Sequence, residues 1–180
     1  MHFFCSIIYL KGQFYLYTNK GAKTDMDNCI FCKIINKEIP STKVYESDRV
    51  IAFLDINPIE KGHMLIVPKQ HWKNLADVKL DTEKEIEIYE ELMYIVRVAA
   101  KAVITTKLAD GANILQCNNA CAGQTVDHLH FHVIPRYGSE LAAVPAFNSG
   151  AAKYEPNEAQ ALAEKLSSAI AAIVKDEELL

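Results

Sequence analysis

The sequence predicts one α+β domain: a mainly antiparallel sheet of about five strands, with one long helix and one C-terminal helix, the helices packed on one face. Three observations carry this. Short apolar runs rich in Val, Ile and Phe are bounded by Pro, Gly, Asn and Asp, as strands are. Residues 81–106 carry apolar side chains three and four apart, as an amphipathic helix does. The 180 residues, 50% hydrophobic and 23% charged, suit a single compact core.

Residues 1–25 read as an N-terminal extension, disordered or outside the native domain, because the strongly patterned sequence begins directly after Met26. The alternative there is a strand or hairpin, with Phe14 and Leu16 on one face and Tyr15 and Tyr17 on the other. Residues 26–137 form the main domain, and 138–180 a loop and helix that complete it. Ile30, Phe31, Ile34 and Ile35 repeat at helical spacing and predict a short helix ending before Pro40. Residues 44–46 and 50–55 read as strands joined by the turn Ser47-Asp48-Arg49. Residues 63–67 are a third strand, stopped by Pro68. The long helix is capped by Asp81 or Thr82, with Ile86, Tyr89, Leu92, Met93, Val96 and Ala100 as its stripe. Residues 112–116 are a fourth strand and 129–134 a fifth, closed by Pro135. A last helix over 157–174 has Asn157 as cap and buries Leu162, Leu166, Ile170 and Ile173.

The bulk numbers exclude some function classes. A net charge of −4 argues against a nucleic-acid-binding surface. No apolar run approaches the ~18 residues that span a bilayer. Residues 3–10 are apolar, yet no basic residue precedes them and no small-residue cleavage site follows, which argues against secretion. Five cysteines, an odd number in a chain of this size, fit a reducing cytoplasmic compartment with thiols available for metal.

The informative segment is His128-Leu129-His130-Phe131-His132. In a strand, alternate residues share a face, so the three imidazoles form a row with steps of about 6.6 Å while Leu129, Phe131 and Val133 face the core. Two chemistries suit such a row. Neutral imidazoles bind zinc. Imidazole is also a nucleophile and acid–base group poised near neutral pH.

The alternation, continued by Val133-Ile134, resembles the motif of the histidine-triad family. The lead-in Ala122-Gly123-Gln124-Thr125-Val126 is similar to that family too. So are the segments 53–58 and 62–69 and the opening Cys29-Ile30-Phe31-Cys32. The resemblance covers residues 28–137 and is nearest the bacterial-type branch related to nucleoside phosphoramidases. It implies that His130 attacks the α-phosphorus of a purine nucleotide, giving a nucleotidyl-histidine that water then hydrolyses. His132 hydrogen-bonds the phosphate oxygens. Gln124 is placed to orient the leaving group or water, and Thr125 to give it a hydroxyl. Asp55 resembles the ribose-binding acid, since a carboxylate accepts from both vicinal hydroxyls. Phe53 and Ile56 flank the base. Asn118 lies on the loop where the family carries a phosphate- or ribose-contacting asparagine, although strict spacing from Gln124 puts Cys117 at one such position.

Cys29 and Cys32 are spaced to grip one metal ion. Spacing alone offers Cys117 and Cys121 as the second pair. The resemblance instead implies His71 and His128, and the set Cys29, Cys32, His71 and His128 is preferred. Either set is filled, which makes the zinc structural. A dinucleoside polyphosphate hydrolase is the alternative within the same chemistry. A weakly catalytic nucleotide-binding module, or a zinc-binding interaction protein, is the alternative outside it. The resemblance also implies a homodimer formed through the long helix and a sheet edge. Val144, Phe147 and Tyr154 are placed to wall the site.

Overall fold

The computed structural model describes residues 6–10, 13–17, 25–138 and 152–177. Cys5, Val144 and Phe147 lie outside the described residues. Within the segment expected as an extension, β1 (Ser6–Leu10) and β2 (Gln13–Tyr17) pair antiparallel as a separate two-stranded sheet, Ser6 opposite Tyr17 and Leu10 opposite Gln13. One helical turn, α1 (Asp25–Asn28), precedes α2 (Ile30–Ile35).

The main sheet contains β3 (Lys43–Glu46), β4 (Val50–Leu54), β5 (Met64–Pro68), β6 (Gly111–Leu115) and β7 (Phe131–Arg136). Its order is β3-β4-β5-β7-β6, every neighbour antiparallel. The expected α+β class and five-stranded antiparallel sheet are what the chain forms.

Strand alternation sorts side chains onto two faces. Val50, Ala52, Leu54, Met64, Ile66, Phe131 and Val133 join the core beneath α3 (Glu83–Thr105) and α4 (Glu158–Glu177). Ile51, Phe53, Leu65 and Val67 point the other way and meet Cys29, Phe31 and Cys32 of the α2 region. The helices are therefore not all on one face: two long ones cover one side, and α2 covers part of the other.

Of the two candidate caps, Thr82 starts α3. Its hydroxyl accepts from the Glu85 N–H, and the Glu85 carboxylate accepts from the Thr82 N–H, a reciprocal capping box. The buried face of α3 is Ile88, Leu92, Ile95, Val96, Val98, Ala99, Ala102 and Val103, broader than the expected stripe, while Ile86 and Met93 are 41% and 38% exposed. A stripe counted at three and four picks one direction, whereas α3 packs against both the sheet and α4. On α4, Leu166 and Ile170 are fully buried with Ala163 and Ile173, and Leu162 is half-buried. Asn157 sits just before α4 at φ +66, its carbonyl accepting from the Ala161 N–H.

The last strand starts two residues later than expected and runs through Pro135. Pairing with β5 ends at Val133, so Pro135 has only β6 beside it, and its missing N–H can face away from any partner.

Candidate active site and metal centre

Leu129, Phe131 and Val133 join the core, and the three histidines that alternate with them are all buried, His132 within β7 and His128 and His130 just before it. The histidine row then divides. His130 and His132 line a cleft of about 580 Å³, and His128 turns to the cysteines. The cleft is also lined by Phe53, Asp55, Ile56 and Thr125, by Ile30, Phe31 and Ile34 of α2, and by Tyr154. Four expected nucleotide-contacting residues, Phe53, Asp55, Ile56 and Thr125, thus meet His130 and His132 in one place.

The tautomers follow from the partners. His130 Nδ1 lies 2.7 Å from the His128 carbonyl, which can only accept. The proton therefore sits on Nδ1 and the Nε2 lone pair is left for chemistry. The Ile59 N–H donates to His63 Nδ1 at 3.3 Å, so neutral His63 carries its proton on Nε2. That nitrogen lies 2.9 Å from His132 Nδ1 and donates to it, which puts the His132 proton on Nε2. Burial holds His63 at about 4 and His132 at about 3, and lowers His130 as well, so these rings are neutral near pH 7. Asp55 Oδ2 stands 3.7 Å from His63 Nδ1, and Asp55 Oδ1 accepts from the Asn57 N–H at 2.8 Å.

His63 is the functional candidate that motif reading missed. The signal was its place after Gly62, in a strand segment otherwise wholly apolar. Gly62 has φ +86, and a Cβ there would stand 3.1 Å from Leu108 and 3.2 Å from Pro135. Only glycine makes that turn and lets His63 follow it onto the buried side.

Gln124 and Asn118 are placed differently from the cleft residues. Gln124 is buried; its oxygen accepts from the Asn119 N–H at 2.7 Å, and its nitrogen donates to the Lys73 and Val126 carbonyls at 2.6 and 2.8 Å. Asn118 accepts from the Leu75 N–H and donates to Gln116. Both amides tie the 117–124 loop down, and neither lines the cleft.

Cys29, Cys32, His71 and His128 bring their ligand atoms within 4.8 Å of one another. Cys29 Sγ is 3.4 Å from His128 Nδ1, and Cys32 Sγ is 3.2 Å from His71 Nδ1 and 3.6 Å from His128 Nδ1. Tetrahedral zinc, with sulfur at about 2.3 Å and nitrogen at about 2.0 Å, sets S···N at about 3.5 Å. The donor set and its spacing fit that ion. His128 Nε2–H donates to the Pro68 carbonyl at 2.9 Å, which orients Nδ1 toward the thiols. Burial, with Cys29 beside it, pushes the Cys32 thiol up to about 12, so a metal must displace a firmly held proton. Among the described residues, no such group includes Cys117, which is buried, or Cys121, which is exposed.

The chain is similar to known proteins over most of its length. Residues 36–139 match the HIT domain family. Protein hit of Bacillus subtilis is 38% identical over 145 residues, covering 81% of this chain and 96% of its own. An adenosine 5'-monophosphoramidase of Saccharomyces cerevisiae is 46% identical over 124 residues, 68% of this chain and 72% of its own. A zinc-bound histidine triad family protein of Mycobacterium smegmatis superposes with a TM-score of 0.67 at 28% identity, covering 84% of this chain and 99% of its own.

Proposed function

This chain belongs to the HIT family, and on that premise we propose that it is a nucleotide hydrolase or transferase that works through a nucleotidyl-histidine intermediate. The observation that carries the reading is the His130 tautomer: Nδ1–H is spent on the His128 carbonyl, so Nε2 is the nucleophile in a ring lining the cleft.

Nε2 of His130 bonds to the α-phosphorus as the bond from phosphorus to the leaving group breaks. His132 Nε2–H hydrogen-bonds the phosphate oxygens as charge develops. The leaving group departs with a proton. Water then attacks phosphorus, the P–N bond breaks, and nucleoside monophosphate and free His130 result. Asp55 accepts from the ribose hydroxyls, while Phe53 and Ile56 flank the base. Thr125 gives a hydroxyl on the phosphate side, and Gln124 serves by holding the loop that presents it. His63 and His132 are neutral with one N–H each, so the proton that a neutral amine leaves with is one already carried on the substrate's nitrogen. A nucleoside phosphoramidate is preferred to a dinucleoside polyphosphate because the yeast relative is an adenosine 5'-monophosphoramidase.

Cys29, Cys32, His71 and His128 would hold a structural zinc, which cross-links the N-terminal turn to the sheet with no open position for water. A homodimer fits the edge strand β6, which among the described residues pairs with β7 alone and where Ile114 is 50% exposed, together with the exposed Met93 of α3. No described helix is long and apolar enough to cross a membrane. An odd number of cysteines, two of them assigned to the metal, favours a reducing cytoplasm.

The test is a substrate panel on wild type and His130→Asn, comparing adenosine phosphoramidate with diadenosine polyphosphates. Wild type should turn over the phosphoramidate and yield an acid-labile nucleotidyl adduct on quenching, and the variant should do neither. Nucleotide binding with turnover indifferent to His130 would make the chain a binding module instead.

A further inference from the structure

Helix α2 has one end in the metal centre and one side in the nucleotide cleft. Its capping residue Cys29 and its third residue Cys32 are metal donors, and Ile30, Phe31 and Ile34 between and after them wall the cleft. Phe31 meets the His130 ring edge-on, with centroids 5.2 Å apart at 81°, and the Phe53 ring at 5.6 Å and 67°. At six residues, α2 is far too short to hold its shape unaided. On the strand side, His128 serves both centres. Its Nδ1 faces the thiols, and its carbonyl accepts from His130 Nδ1–H.

We infer that the metal clasp sets the position of the α2 wall, with Phe31 as the positioning residue, so that metal retention and nucleotide binding are thermodynamically coupled. This rests on the zinc and nucleotide readings above. Bound zinc draws two thiolates and two imidazoles to one point and pins α2 over the sheet. Without it, the donors keep thiol–imidazole contacts of 3.2–3.6 Å, which are weak hydrogen bonds, and the helix keeps the apolar packing of Phe31 and Cys32 on the sheet. A wall held by that packing alone is less firmly placed, which gives the base a poorer surface and Phe31 a looser hold on the nucleophile's ring. Linkage then makes the effect reciprocal: whatever factor zinc adds to nucleotide affinity, nucleotide adds to zinc affinity.

The experiment is equilibrium competition for zinc against a chromophoric chelator, on the full chain, with and without adenosine monophosphate. Nucleotide affinity is measured in zinc-loaded and metal-free protein, and adenosine, which has no phosphate to bind zinc, serves as second probe. Both affinities should change by one common factor of about fivefold or more. Phe31→Leu keeps every metal donor. It should retain zinc, bring the factor toward one, and raise KM more than it lowers kcat. Zinc and nucleotide binding independently of each other would overturn the inference while leaving both underlying readings standing. So would a Phe31→Leu protein with undiminished coupling, because the link would then run through global folding. Protein purified without zinc, or unable to bind nucleotide, would overturn the underlying readings and this inference with them.

Discussion

His63 Nε2 and His132 Nδ1 are hydrogen-bonded at 2.9 Å, joining the residue just before β5 to one within β7, 69 positions along the chain. The bond has a direction, set by the Ile59 N–H that occupies the far nitrogen of His63. It fixes His132 as a donor toward the cleft.

Removing that control should impair chemistry more than binding. His63→Gln is expected to lower kcat by about a hundredfold, within the range for a lost donor to developing charge, with KM within a few-fold of wild type. Steady-state kinetics on the phosphoramidate would show it. A variant with unchanged kcat would remove His63 from the mechanism.

The same residue makes stability depend on pH. An unfolded histidine protonates near 6.5, but burial holds folded His63 down at about 4. Above pH 6.5 neither state carries the proton and stability is full. As pH falls from 6.5 to 4 the unfolded chain binds a proton that the folded protein refuses, so stability is lost across that window, by on the order of 1–3 kcal/mol for this group. Urea denaturation of wild type and His63→Gln between pH 4 and 8 should give a shallower decline in the variant.

The metal centre should matter more to stability than to turnover. Cys29→Ser is expected to lower zinc content, measured by elemental analysis, and to depress Tm by several degrees. Activity per folded molecule should fall less. Freshly purified wild type that contains no zinc would refute the site.

Gly62→Ala tests the turn that delivers His63. The φ of +86 and the contacts of 3.1 and 3.2 Å to Leu108 and Pro135 oppose any Cβ. The expected cost is about 1–3 kcal/mol in chemical denaturation, with a fall in kcat from the displaced His63. A variant as stable as wild type would show that the loop relaxes freely.

The sequence by itself determined the class of fold, the alternation that puts three imidazoles opposite a core face, and the two-cysteine grip. These are local properties, set by side-chain period and by spacing within a few residues. It also carried Asp55, Phe53 and Thr125 by resemblance to a known pattern. It did not carry the pairing of His63 with His132, the division of the row between two centres, or the commitment of Gln124 and Asn118 to the loop. Nor did it place the buried arc of α3 correctly at Ile86 and Met93. Each of these depends on which distant segment packs alongside: β5 against β7, α2 over the sheet, α4 beside α3. Sequence period reports which way a side chain points, but only the folded chain decides what it meets there, because a hydrogen bond or a metal ligand is defined by separations of a few ångströms between residues far apart along the backbone.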